Sequence, residues 1–269
     1  MDLKNTNYEY FINNEYKKCE FCGQKLTPKG LDYLYTNITP ESIKYERCNC
    51  KLSQEYWKNK DAEQYKIDKR NYYKNIINKI YKDNYLNRKL SNYSFENFIV
   101  NKNNKKEVEI LKDYLKKCLE NNQEKGMIIT GNFGTGKTHL ASAIANKMIE
   151  NGQVVLMGRL SFLLDMIKET YYDKEKSDKE LIELYSNIEM LIIDDLGTET
   201  ISNWALEKLY RIVENRNENK LPIIITTKFN KNDLLERLKE CKDKSLAEAI
   251  ISKLYLMCYG VNLKNNNYF

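Results

Sequence analysis

The stretch Gly131 to Thr138 reads G-N-F-G-T-G-K-T and meets the phosphate-loop template G-x-x-x-x-G-K-[ST] at every fixed position. An apolar, β-prone run, Gly126-Met127-Ile128-Ile129-Thr130, precedes it. After it, Leu140, Ala141, Ile144, Ala145 and Met148 recur at helical spacing. A strand-to-helix turn is the context the template demands, and it argues against a mere glycine-rich turn followed by a surface lysine. Such a loop turns its backbone N–H groups inward and lets a polyphosphate approach where a Cβ would collide, which is why it needs glycine. The following helix adds its positive end. Gly131, Asn132, Phe133, Gly134, Thr135, Gly136, Lys137, Thr138 and His139 are therefore the candidate nucleotide-binding residues. Lys137 would reach the β- and γ-phosphates as a point charge, and the Thr138 hydroxyl would enter a Mg²⁺ shell kept partly aqueous.

A second run, Met190-Leu191-Ile192-Ile193-Asp194-Asp195, is a continuous apolar strand ending in two carboxylates. Buried parallel strands look like this, and the acids fall at the carboxyl edge of the sheet beside the phosphate loop. Asp194 would hold Mg²⁺, usually through water, and Asp195 would orient or deprotonate the attacking water, so Asp195 and Lys137 are the candidate catalytic residues. Pro222 to Thr227 is another buried strand with polar residues at its end.

Upstream, Cys19-Glu20-Phe21-Cys22-Gly23 is followed after 25 residues by Cys48-Asn49-Cys50. Four thiolates can close a tetrahedral zinc site, and four of the seven cysteines cluster here. Buried thiols without metal are the alternative. So small a domain has little core, and zinc would supply much of its folding energy.

Residues 51 to 90 hold 11 Lys+Arg against 5 Asp+Glu, a surplus equal to the net charge of +6 on the whole 269-residue chain. Glycine and proline are absent from Leu52 to Leu90, and Tyr73, Ile76, Ile77 and Ile80 fall at i, i+3, i+4, i+7, so the segment is an amphipathic helix. Lysines interleaved with Trp57 and six tyrosines suit a grip on single-stranded nucleic acid; they equally suit a solvated connector. No apolar run approaches the ~18 residues of a membrane span, and M-D-L-K-N-T-N-Y is unlike a signal peptide. The expectation is a soluble cytoplasmic protein without membrane partners.

Helices are expected over Lys105–Leu119, Phe162–Tyr172 with Ser161 as N-cap and Asp165 near the first turn, Trp204–Glu218, Asp233–Lys239 and Ala247–Met257. A charged loop is expected over Asp173–Lys179, and strands over Gln153–Gly158 and, terminally, Tyr259–Leu263. The fold class is α/β: a parallel sheet flanked by helices (91–269), preceded by a zinc-binding domain (1–52) and a basic helical linker (53–90).

Taken together, G-N-F-G-T-G-K-T-H-L, L-I-I-D-D-L-G-T-E, I-I-I-T-T and A-I-I-S-K-L resemble the AAA+ ATPases of the bacterial DnaC and DnaI type, the replicative helicase loaders, and their transposon relative IstB. The resemblance covers about residues 91 to 269, and the cysteines are similar to the zinc-bearing domain by which DnaI-type loaders hold the helicase. It implies an ATP-binding protein with weak ATPase activity that assembles on a hexameric DNA helicase, binds single-stranded DNA, and releases under control of ATP. An IstB-type transposition helper is the alternative. A small-molecule P-loop kinase would need a substrate acid or arginine lid, for which the sequence offers no candidate. Lys137, Thr138, Asp194 and Asp195 match the nucleotide and metal residues, and Thr227 ends the sensor strand. Three positions depart: Lys228 stands where the family usually has asparagine, and Ala249 and Lys253 where it has two arginines. Nucleotide binding carries over from the resemblance; the two arginines the family brings to hydrolysis do not.

Overall fold

The computed structural model describes residues 17–29, 44–82, 92–120, 125–171, 178–240 and 243–264. The chain divides into two compact units, Met1–Lys69 and Arg70–Phe269.

In the first unit, short bridges pair Lys18 with Lys25 and Pro28 with Tyr45. A turn at Cys19–Gly23 is closed by the Gly23 N–H donating to the Cys19 carbonyl at 2.9 Å. Helix α1, Lys51–Lys82, begins directly after Cys50. It runs on into the second unit, where Tyr73 and Ile77 are buried in the core with Ile76 packed beside them. The division thus falls inside the helix rather than near residue 91. The Ile80 side chain, Arg88 and Lys89 lie outside the described residues.

The second unit is built on a five-stranded sheet in the order β2-β3-β4-β1-β5, with every neighbouring pair parallel. In chain order it runs α2 (Lys105–Leu119), β1 (Gly126–Gly131), α3 (Lys137–Glu150), β2 (Val155–Arg159), α4 (Leu160–Glu169) and α5 (Asp178–Asn187). Then follow β3 (Met190–Asp194), α6 (Asn203–Glu218), β4 (Ile223–Thr227), α7 (Lys231–Leu238), α8 (Lys244–Met257) and β5 (Cys258–Leu263). Successive strand side chains point to opposite faces, and the core divides accordingly. Met127, Ile129, Met190, Ile192 and Ile224 face α2 and α3. Ile128, Leu191, Ile193, Ile223 and Ile225 face α4, α5, α6 and α8. Covered on both faces, the strands read as unbroken apolar runs.

Two expectations are corrected. Ser161 is not the N-cap of α4, which starts at Leu160 with Arg159 in the cap position. The Glu199 carboxylate takes that role instead, accepting from the Ser161 N–H at 2.8 Å and its hydroxyl at 2.5 Å, and so places negative charge at the helix's positive end. Asp165 pairs with Lys168 at 2.9 Å. The charged stretch expected as a loop contributes Asp178 and Lys179 to α5, while 172–177 lie outside the described residues. Helix α5 buries Ile182, Leu184 and Tyr185. It is tied to the sheet by Arg216, fully buried, which donates to the carbonyls of Tyr185 (2.8 Å), Ile188 (3.1 Å) and Pro222. Burial pushes that guanidinium down to about 9. Among the described residues, no helix is long and apolar enough to cross a membrane.

Candidate nucleotide site and cysteine cluster

The phosphate loop leaves β1 at Gly131 and enters α3 at Lys137. Gly136, just before the helix, has φ +91°, and a Cβ there would lie 2.4 Å from the Phe98 ring, so conformation and space both require glycine. Thr135 is buried, its hydroxyl donating to the Asn132 carbonyl at 2.9 Å. Lys137 is 7% exposed and donates to the carbonyls of Gly131 (2.8 Å) and Asn132 (2.9 Å). Burial lowers its pKa and Lys228 adds repulsion, while Asp195 and Asp194 pull the other way. Asn132, Phe133 and Gly134 form the exposed tip of the loop.

The two acidic positions meet this loop. The Thr138 hydroxyl donates to both Asp194 oxygens, at 2.9 and 3.1 Å, bringing together the two groups expected to share Mg²⁺. Thr226, which the sequence did not single out, donates its hydroxyl to Asp194 Oδ1 at 2.6 Å and accepts the Asp195 N–H at 2.8 Å. Thr227 points to the other face of β4, buried, with its hydroxyl on the Leu196 carbonyl at 2.7 Å. The alternation of strand side chains explains why one threonine of the pair reaches the site and its neighbour does not. Asp195 itself has φ +59°, a left-handed conformation rare for a residue with a side chain. It is held there by Thr226 on its N–H and by Thr198, whose hydroxyl donates to its carbonyl at 2.8 Å. Over-determined strain of this kind gathers at functional sites.

His139 faces away from the loop tip, into a turn that sequence reasoning also left aside. Its ring stacks on Tyr93 at 4.5 Å, meets the edge of Phe98 at 5.1 Å, and hydrogen-bonds the Ser94 carbonyl (2.8 Å) and Asn97 Oδ1 (2.9 Å). The 93–98 turn thus braces the start of α3. Of the departures from the expected pattern, Ala249 is half-buried in α8, and Lys253 is paired with Glu214 at 2.5 Å, an interaction that raises its pKa. Lys228 lies over the Phe133 ring at 4.6 Å.

In the first unit the sulfurs of Cys19, Cys22, Cys48 and Cys50 all lie within 4.8 Å of one another, with Cys19–Cys50 at 3.9 Å and Cys22–Cys48 at 3.5 Å. Four sulfurs each ~2.3 Å from one zinc ion stand ~3.8 Å apart along the tetrahedral edges. The donor set fits that ion, and the separations are too long for disulfides. The cluster also lacks charge balance. The Phe21 backbone N–H holds Cys19 down at about 7. The Gln24 N–H favours the Cys22 thiolate, but burial and the neighbouring sulfurs of Cys48, Cys50 and Cys19 outweigh it and push Cys22 up to about 12. A divalent cation would resolve that conflict. Beside the cluster is a cavity of about 540 Å³ whose lining includes Phe21, Tyr56, Trp57, Arg47 and Lys60.

Against known proteins, a family model described as "IstB-like ATP binding protein" matches residues 63–269. The replicative helicase loader DnaC of Escherichia coli K12 is 32% identical over 113 residues, 42% of this chain and 46% of that protein. The replicative helicase loader DnaI of Bacillus subtilis 168 is 22% identical over 160 residues, 58% of this chain and 51% of that protein. The chain thus spans about half the length of these curated relatives. Among solved structures, the crystal structure of the DnaC helicase loader shares the fold at a TM-score of 0.54 and 25% identity, over 65% of this chain and 99% of that one.

Proposed function

Because the chain belongs to the IstB-like ATP-binding protein family, we propose that it is an ATP-dependent loader of the replicative DNA helicase, acting in the cytoplasm. Mg²⁺-ATP would sit on the Gly131–Thr138 loop, with Thr138 and Asp194 holding the metal, and its state would govern release of the helicase. The observation that carries this reading is the convergence of Lys137, Thr138, Asp194 and the left-handed Asp195 at one sheet edge. Zn²⁺ on the four cysteines would fold the first unit into the module that grips the hexameric helicase, on which further copies assemble. The loaders DnaC and DnaI among its relatives support this over the IstB-type transposition reading. Tagged full-length chain, purified from its own cell, should bring down the replicative helicase; recovery of a transposase in its place would favour the alternative.

Hydrolysis should be slow. A partner arginine can be worth ~10³ or more in rate, and Ala249 has no donor while Lys253 is tied to Glu214. Isolated protein is expected to turn over ATP well below ~1 s⁻¹, with Asp195→Asn reducing even that. A wild-type rate at or above that value would mean another residue fills the role; Ala249→Arg is the restoring variant.

Single-stranded DNA would meet the exposed lysines of α1. Arg70 is engaged with Glu189 at 2.5 Å, so Lys58, Lys66 and Lys79, all exposed, make the cleaner test. Changed together to Glu, they should weaken binding and flatten its salt dependence, each lost phosphate contact removing ~0.7 from the slope of log K against log salt. Unchanged affinity at low salt would assign the helix to a connecting role.

A further inference from the structure

The cavity in the first unit is one that the nucleotide site on the phosphate loop does not use. Its volume of about 540 Å³ falls among small-ligand sites, ~300–1,000 Å³, and is too small for a folded partner. Three rings gather on its wall. Phe21 stands on the turn between Cys19 and Gly23, and Tyr56 and Trp57 on the second turn of α1. Phe21 and Tyr56 lie 5.2 Å apart, as do Tyr56 and Trp57, so the three make one aromatic face. Phe21 and Tyr56 are nonetheless 39% and 37% exposed, and a planar ligand laid on them would take that apolar surface out of water. Arg47 lies 4.4 Å from the centre of the Trp57 ring and is held there by Asp61 at 2.8 Å.

The rim is basic. The backbone of Lys17 is tied down by the Leu26 N–H on its carbonyl (2.8 Å), and that of Lys44 by the Lys29 N–H (2.6 Å), with Lys18 bridged to Lys25. Among the described residues, Lys17, Lys18 and Lys44 pair with no carboxylate. With Arg47 and Lys60 they give the lining five cations against two carboxylates, Glu20 and Glu46. Such a lining selects an anion. A bare phosphate would leave the rings unused, and an acidic peptide has no planar face to match them. A nucleotide brings both, a base for the rings and a phosphate for the lysines.

We propose that this cavity is a second nucleotide-recognition site, with a base laid against Phe21, Tyr56 and Trp57 and its phosphate held by Lys17, Lys18 and Lys44. It is separate from the phosphate loop and from the α1 lysines Lys58, Lys66 and Lys79, none of which lines the cavity. A nucleotide within a single strand and a free mononucleotide share this chemistry.

The test is titration of the full chain in a Trp204→Phe background, where Trp57 is the one remaining tryptophan. The probes are hexathymidylate, an abasic strand of the same length, thymidine 5′-monophosphate and hexaglutamate. Hexathymidylate should quench Trp57 saturably, and the abasic strand should bind at least tenfold more weakly without quenching. Tyr56→Ala should weaken hexathymidylate about tenfold and leave its salt dependence unchanged, whereas Tyr56→Phe, which keeps the ring, should bind nearly as the parent does. Glutamine at Lys17, Lys18 and Lys44 together should flatten the slope of log K against log salt by about 2, at ~0.7 for each phosphate contact. Thymidine 5′-monophosphate binding as tightly as the hexamer would identify a free nucleotide as the occupant; weaker binding would identify a strand, and either result sustains the site. Equal affinity for the abasic strand and hexathymidylate overturns the proposal, as does the absence of quenching by either thymidine probe. Hexaglutamate binding as tightly as hexathymidylate would do the same and assign the cavity to an acidic peptide. The abasic comparison is made without altering the lining and so does not depend on any lining variant folding.

Discussion

Serine at both Cys48 and Cys50 is expected to abolish zinc binding and unfold the first unit, while residues 70–269 stay folded. The magnitude follows from the small size of that unit. Structural zinc in comparably small modules contributes an apparent ~10–16 kcal/mol near neutral pH, far more than a few buried side chains can replace. Cys50 directly precedes α1, and the Cys50 carbonyl accepts the Gln54 N–H at 3.0 Å, so loss of the metal should also loosen the start of that helix. The second unit has its own core on both faces of the sheet, whose residues do not include the four clustered cysteines. Metal analysis should fall from one zinc per chain to none. In a Trp204→Phe background, fluorescence of Trp57, which packs against Arg47 and Tyr56, should report the unfolding. One zinc per chain retained in the double variant would falsify the four-thiolate site.

Lys137→Ala should be the most damaging single change at the nucleotide site. A buried ammonium aimed at phosphate makes charge-assisted contacts worth about 2–3 kcal/mol, or roughly 30- to 150-fold in Kd. Asp195→Asn keeps the backbone contacts to Thr226 and Thr198 and removes only charge, so it should bind ATP nearly as wild type does. The pair separates holding from turnover. Calorimetry giving Lys137→Ala the wild-type affinity would remove the loop from nucleotide binding altogether.

The parts of this fold legible in the sequence are those where one physical demand dominates. Strands covered on both faces must be apolar throughout, so β1, β3 and β4 could be placed to within a residue or so, and the loop between β1 and α3 follows from its glycines. What stayed hidden depends on partners distant in the chain. Helix α5 was masked by the charges at its start, although Leu181, Ile182, Leu184 and Tyr185 carry a helical pattern. Arg216 reads as a solvated helical residue, yet it is wholly buried because three backbone carbonyls converge on it. Thr226 and Thr227 are adjacent and chemically alike; only the direction of the pleat shows that Thr226 serves Asp194 and Thr227 the Leu196 carbonyl. The cap of α4 comes from Glu199, 38 residues beyond Ser161, beyond the range of any local capping rule.

That nucleotide on the Gly131–Thr138 loop governs the hold on a helicase is tested most directly by sedimentation velocity of the full chain mixed with the replicative helicase of its own organism, in Mg²⁺-ATP and in Mg²⁺-ADP. The expected result is a complex whose apparent affinity differs at least ~tenfold between the two nucleotides, a coupling of about 1.4 kcal/mol, with the difference lost in Lys137→Ala. A complex equally stable in both nucleotides, or none in either, would contradict it.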